Sequence, residues 1–126
     1  MPKNIYFVDA ELDDVFYSVP KIHEITLGRN GLIKIPCRVE KSMNVSKIHC
    51  RLLRKDLEGE VTEHDFAVMD GESDKKPSKN GTYVNGERIS NEKETPLTND
   101  SIISLADYKL KVVIEGFETI EDSETI

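Results

Sequence analysis

Ser78-Lys79-Asn80-Gly81-Thr82-Tyr83-Val84-Asn85-Gly86 holds the strongest short-range fold signal in the chain. Asn85-Gly86 separates two short runs, Thr82-Tyr83-Val84 and Glu87-Arg88-Ile89. Both central residues of a tight hairpin turn must reach positive φ, which Asn and Gly do at least cost, so the pair marks a β-hairpin. A polar loop, Ser78 to Gly81, leads into it.

Working outward, the periodicity stays short and strand-like. Downstream, Ile102 to Leu105 and Tyr108 to Ile114 form a last hairpin, with Leu110, Val112 and Ile114 on one face. Upstream, Ile48 to Leu53 and Phe66 to Met69 read as core strands joined by a polar turn around Gly59. Glu24 to Leu27 is a strand ending at Gly28, and Leu32 to Ile35 is one stopped by Pro36. Asn4 to Val8 and Val15 to Val19 pair across the acidic turn Asp9 to Asp14. No window holds an amphipathic helical pattern. Many short strands with regular turn signals predict an all-β, antiparallel sandwich or barrel. Cys37 to Val45 and Gly71 to Lys79 read as irregular loops, and loops of that length in a compact domain tend to be functional.

The 126 residues suit one domain, read as residues 1–115, followed by an acidic, unpatterned tail, 116–126, expected to be disordered. With 37% hydrophobic residues the composition is that of a polar globular domain. No apolar run approaches a membrane span, and acids interrupt the N-terminus where the apolar part of a signal peptide should continue. A cytoplasmic setting with free thiols is therefore expected, and two cysteines, Cys37 and Cys50, make no disulfide framework. Cys37, His49 and Cys50 also lack metal-ligand spacing, so neither metal nor cofactor is expected.

Net charge is −7, which argues against a general nucleic-acid binder. Its distribution is uneven. Arg29 to Asp56 holds Arg29, Lys34, Arg38, Lys41, Lys47, Arg51, Arg54 and Lys55 against Glu40 and Asp56, a balance of +6. Leu57 to Glu72 and Asn91 to Ile126 each carry −6. Such segregation suggests a local positive field on an acidic body, although a run of charges is also what a solvated face looks like. On residue type alone, Arg29 can be a solvated loop cation and Ser46 a turn cap. Ser46 and His49 could likewise be taken for a nucleophile and its base.

Gly28-Arg29, Ser46-Lys47-Ile48-His49 and Ser78 to Gly86, in this order and with 17 residues from Arg29 to Ser46 and 34 from Ser46 to Asn80, resemble the forkhead-associated (FHA) domain. That family is a phosphothreonine-binding module, and the resemblance spans roughly Ile22 to Ile114. It implies an FHA/SMAD-like sandwich of about 10–11 strands with binding loops at one end. It implies phosphopeptide contacts from Arg29, Ser46, Lys47, Lys79 and Asn80: Arg29 and Ser46 on phosphate with Lys47 in support, Lys79 on phosphate or peptide, and Asn80 on the ligand main chain. It assigns Gly28, His49, Gly81, Thr82, Asn85 and Gly86 to the loop scaffold, His49 as a buried hydrogen bonder and not a base. The glycines read as tight-turn necessities.

The chemistry agrees with the resemblance. Phosphothreonine carries about 1.5–2 negative charges and three acceptor oxygens. A guanidinium fork, a short hydroxyl and fixed N–H groups are what such a group needs. The expected function is non-catalytic recognition of a Thr-phosphorylated protein in kinase-dependent signalling, with threonine preferred to serine. No nucleic acid or membrane is expected as partner, and the unphosphorylated chain is expected to be a monomer. A phosphate-independent scaffold binding through a sheet face is the alternative. The run Leu32 to Val45 departs from the family's usual Asp-Ile-x-Leu-like pattern, which bears on ligand selectivity.

Overall fold

The computed structural model describes residues 5–11, 15–35, 44–55 and 66–114. The turn around Gly59, the cysteine Cys37 and the C-terminal tail lie outside these residues. Eleven strands are described: β1 (Ile5–Asp9), β2 (Phe16–Ser18), β3 (Glu24–Gly28), β4 (Ile33–Lys34), β5 (Cys50–Arg54), β6 (Phe66–Asp70), β7 (Thr82–Val84), β8 (Glu87–Arg88), β9 (Thr95–Pro96), β10 (Ile102–Leu105) and β11 (Tyr108–Ile114). They form two sheets, ordered β2-β1-β11-β10-β7-β8 and β4-β3-β5-β6-β9. The predicted sandwich is the observed fold.

Alternation builds its core. Along β11, Tyr108, Leu110, Val112 and Ile114 are buried while Lys109 and Lys111 face out. Ile5 and Phe7 of β1 point inward beside them, in register with Ile114 and Val112. From the second sheet Ile25, Leu27, Leu52, Phe66 and Val68 complete the same cluster. Each such side chain contributes about 1.5–3 kcal/mol on burial, which sets the two layers face to face.

The sequence reading is corrected at three points. First, β4 runs parallel to β3, pairing Leu27 with Ile33 and Gly28 with Lys34, so that sheet is mixed. Parallel neighbours ordinarily need a long crossover. Here Arg29 to Leu32 coils back beside β3, tied by Gly31 N–H to Gly28 O at 3.2 Å and Leu32 N–H to Thr26 Oγ1 at 2.9 Å. Second, β9 has no strand signal of its own; two residues suffice because it lies on the sheet edge, where Pro96 is tolerated. Third, Gly28 is not at positive φ. A Cβ there would stand 2.2 Å from Lys47 O and 2.8 Å from His49 N. The requirement is close approach between β3 and the chain entering β5.

The Asn85-Gly86 turn is as read, with φ of 52° and 89°. Asn85 also anchors the hairpin to β10: its N–H donates to Ile102 O and its Oδ1 accepts Ile102 N–H, both at 2.8 Å. The turn after β3, the segment entering β5 and the loop between β6 and β7 all meet at one end of the sandwich, beside the β10–β11 turn.

Gly28→Ala should therefore fold less stably and push the Lys47–His49 backbone off β3. Thermal melting, together with amide exchange at His49 (whose N–H bonds Leu27 O), reads the change. An unaltered melting temperature contradicts the close-approach explanation.

Candidate functional site

Backbone pairing extends beyond β3 and sets the first wall. Arg29 N–H donates to Ser46 O at 3.1 Å and Asn30 N–H to Lys47 O at 2.8 Å. The Arg29 side chain follows, its Nε donating to Val45 O at 2.5 Å. One edge of the guanidinium is thus fixed, and its terminal nitrogens have no hydrogen bond among the described residues. A half-buried fork held in this way is pre-organised for two acceptor oxygens.

His49 fixes the second wall to the third. It is fully buried. Ser46 N–H donates to its Nδ1 at 2.9 Å, so Nδ1 is the unprotonated nitrogen and Nε2–H donates to Gly81 O at 2.7 Å. Burial pulls the imidazole pKa below its ordinary value, outweighing the Gly81 bond and the Asp70 charge, which raise it. A neutral ring with both nitrogens committed to backbone has no lone pair for the Ser46 hydroxyl. The nucleophile–base reading of Ser46 and His49 has no geometric support.

The third wall is built on Asp70, a buried acid that sequence reasoning missed. Its Oδ1 accepts Ser78 Oγ–H and Thr82 Oγ1–H, each at 2.6 Å, and its Oδ2 accepts Ser78 N–H at 3.1 Å. Ser78 Oγ in turn accepts Gly81 N–H at 2.9 Å. Gly81 sits at φ 86°, which lets the chain turn there. Lys79 N–H then reaches Ser46 Oγ at 3.3 Å. Since that oxygen accepts, the hydroxyl proton is left for another acceptor; none is present among the described residues. Asn80 donates its amide to Asn44 O at 2.8 Å, across to the loop that enters β5.

Arg29, Ser46, Lys47 and Lys79 line a single open cleft of about 350 Å³, together with Ile48, Glu72, Lys76 and Pro77. Asn80 lies next to it in sequence but not on its wall. Glu72 and Lys76, which the sequence reading did not single out, are ion-paired at 3.4 Å.

The basic run is corrected by the structure. Arg51 is buried and donates to Gly71 O at 3.1 Å, Asp70 O at 3.3 Å and Asn91 O at 3.2 Å. It holds the β6–β7 loop from behind. Arg54 is buried as well, donating to Pro20 O at 3.3 Å with its guanidinium 5.5 Å from the Phe66 ring centre. Lys55 pairs with Glu94 at 3.3 Å. Arg38 and Lys41 lie outside the described residues. Part of the apparent field is therefore scaffold, while two of the cleft's cations, Lys76 and Lys79, come from a different stretch. Cys50 is a free, buried thiol whose pKa burial drives up. Among the described residues no cluster of His, Cys, Asp and Glu is placed to hold a metal ion.

A family model described as the FHA domain matches residues 25–106, and the chain belongs to that family of phosphopeptide-recognition modules. No curated protein matches it in sequence. Solved structures share its fold at low identity. One, from work on phosphothreonine-dependent FHA domain interactions, has 16% identity and a TM-score of 0.65, covering 90% of this chain and 99% of its own. The MEK1 FHA domain in complex with a HOP1 phosphothreonine peptide has 20% identity and a TM-score of 0.63, covering 90% and 98%. The FHA domain of the CT664 protein from Chlamydia trachomatis has 16% identity and a TM-score of 0.62, covering 87% and 96%.

His49 gives the site a pH signature. Its folded pKa is lowered, so the unfolded chain takes up more protons below about pH 6.5. Its contribution is intact above that value and is lost as pH falls through the folded pKa. His49→Gln should be less stable at neutral pH by about 1–3 kcal/mol for each backbone group left unpaired. It should also lose stability less steeply than wild type on acidification below about pH 6.5. Parallel melting curves at all pH values would contradict the neutral-clamp assignment.

Proposed function

We propose that this chain is a non-catalytic module that binds phosphothreonine-containing segments of partner proteins through the cleft at its loop end. The observation that carries the reading is the convergence of Arg29, Ser46, Lys47 and Lys79, from three separate loops, on one cleft. Phosphate oxygens would take the free edge of the Arg29 fork, the Ser46 hydroxyl proton and the two lysine ammonium groups. Asn80 would exchange its bond to Asn44 O for the main chain of an extended ligand, a mode in which loops read backbone and phosphate together. The loops are already bonded to one another through His49, and the β6–β7 loop is held within itself by Asp70, so little ordering cost falls on binding.

A second reading rests on a different surface. Phe16 and Leu32, each 59% exposed, flank an apolar groove of about 470 Å³ between the edge strands β2 and β4. A scaffold that binds protein there needs no phosphate.

Calorimetry with a phosphothreonine peptide library and its unphosphorylated copy separates the two. The cleft reading expects binding that depends on phosphate and a preference for phosphothreonine over phosphoserine of roughly 10- to 200-fold, the worth of one fitted methyl. Arg29→Ala should lose at least about 2 kcal/mol, near 30-fold, with its circular dichroism unchanged. Equal affinity for both peptide sets, or an unaffected Arg29→Ala variant, would overturn the phosphate assignment.

A further inference from the structure

We propose that Glu72 and Lys76 form a subsite that selects a basic ligand residue beside the phosphothreonine; this rests on the cleft being the phosphothreonine site. Both line that cleft, and Glu72 is the one acid among its described lining residues. They face each other across a small hairpin in the β6–β7 loop, in which Glu72 N–H donates to Lys76 O at 2.9 Å and Lys76 N–H to Ser73 O at 3.1 Å.

The backbone of this hairpin is held from the far side. Arg51 bonds Gly71 O, and Asn91 Nδ2 donates to Ser73 O at 3.4 Å and to Asp74 O at 2.6 Å. Arg51 also pairs with Asp74 at 3.9 Å. The two charged side chains are free by comparison. Glu72 is 51% and Lys76 73% exposed, so their pair is weak and exchanges partners readily.

A phosphate dianion entering the cleft offers Lys76 a stronger partner than a single carboxylate. As Lys76 turns to it, Glu72 keeps its charge but loses its cation. The fixed hairpin keeps the Glu72 backbone at the cleft wall, so its carboxylate stays within reach of the phosphate, and two like charges in one cleft repel. A Lys or Arg on the ligand, next to the phosphothreonine, restores the balance. An acidic residue there meets Glu72 unfavourably. The Glu72 carboxylate therefore has two opposite effects: it weakens binding of the phosphate itself and strengthens binding of a basic flank.

Opposite signs make a sharp test. Phosphothreonine peptides with Lys, Ala or Glu at each of the three positions on either side are titrated into wild type, Glu72→Gln and Lys76→Gln. Wild type should favour Lys over Glu at one or more positions by about two- to five-fold, the range for exposed ion pairs. Glu72→Gln should lose that preference and yet bind the Ala-flanked peptide more tightly than wild type does. Lys76→Gln should weaken the Ala-flanked peptide by about two- to five-fold, far less than loss of Arg29. A flat flank series in a wild type that does bind phosphothreonine overturns this inference alone, as does a Glu72→Gln variant that keeps the preference. A wild type that binds no phosphopeptide overturns both this inference and the reading beneath it.

Discussion

His49 accepts Ser46 N–H at Nδ1 and donates from Nε2 to Gly81 O, and with those two bonds it joins Ser46 to Gly81, 35 residues further along the chain. The geometry of the cleft depends on this join. Ser46 belongs to the segment that pairs with Arg29, and Gly81 ends the loop that carries Lys79. A neutral imidazole suits the task because it offers one donor and one acceptor on opposite sides of a rigid ring. A charged ring would offer two donors and leave Ser46 N–H without an acceptor. Burial, which disfavours the charged form, thus selects the hydrogen-bonding state that the loops need.

Asp70 does the equivalent work within the β6–β7 loop. A buried carboxylate that accepts two hydroxyls and one backbone N–H is satisfied without a cation partner. Its ligands, Ser78 and Thr82, bracket Lys79, Asn80 and Gly81. The loop is fixed at both ends by Asp70 and braced behind by Arg51. With the polar scaffold buried and paired, the groups left exposed at the cleft are those with unused donors. A site with this arrangement presents its loop backbone and the Arg29 guanidinium without having to order them first.

Much of this was legible in the sequence. The Asn85-Gly86 hairpin and the alternation of β11 are local signals, and the spacing of Arg29, Ser46 and Asn80 maps onto loops that meet at one end of the sandwich. What escaped was non-local. Asp70 closes an apolar run, and nothing within that run says which hydroxyls will reach it. Arg51 and Arg54 counted as surface charge because burial depends on the neighbouring strands and the loop folded over them. The β9 strand exists only because β6 offers an edge. Glu72 and Lys76 resembled any exposed loop pair until the hairpin of that loop turned both toward the cleft. The need for glycine at position 28 was visible, but its cause, the closeness of Lys47 O, was not.

Three loops joined through His49 hold one cleft, and its proposed ligand is phosphothreonine. Amide chemical shifts followed during titration with a phosphothreonine peptide test that assignment most directly. The account predicts saturable shifts concentrated at Arg29, Ser46, Lys47, Lys79 and Asn80, with the His49 ring signals retaining their neutral tautomer throughout. Shifts confined to the Phe16 and Leu32 groove, or saturation that leaves the loop amides unmoved, would contradict it.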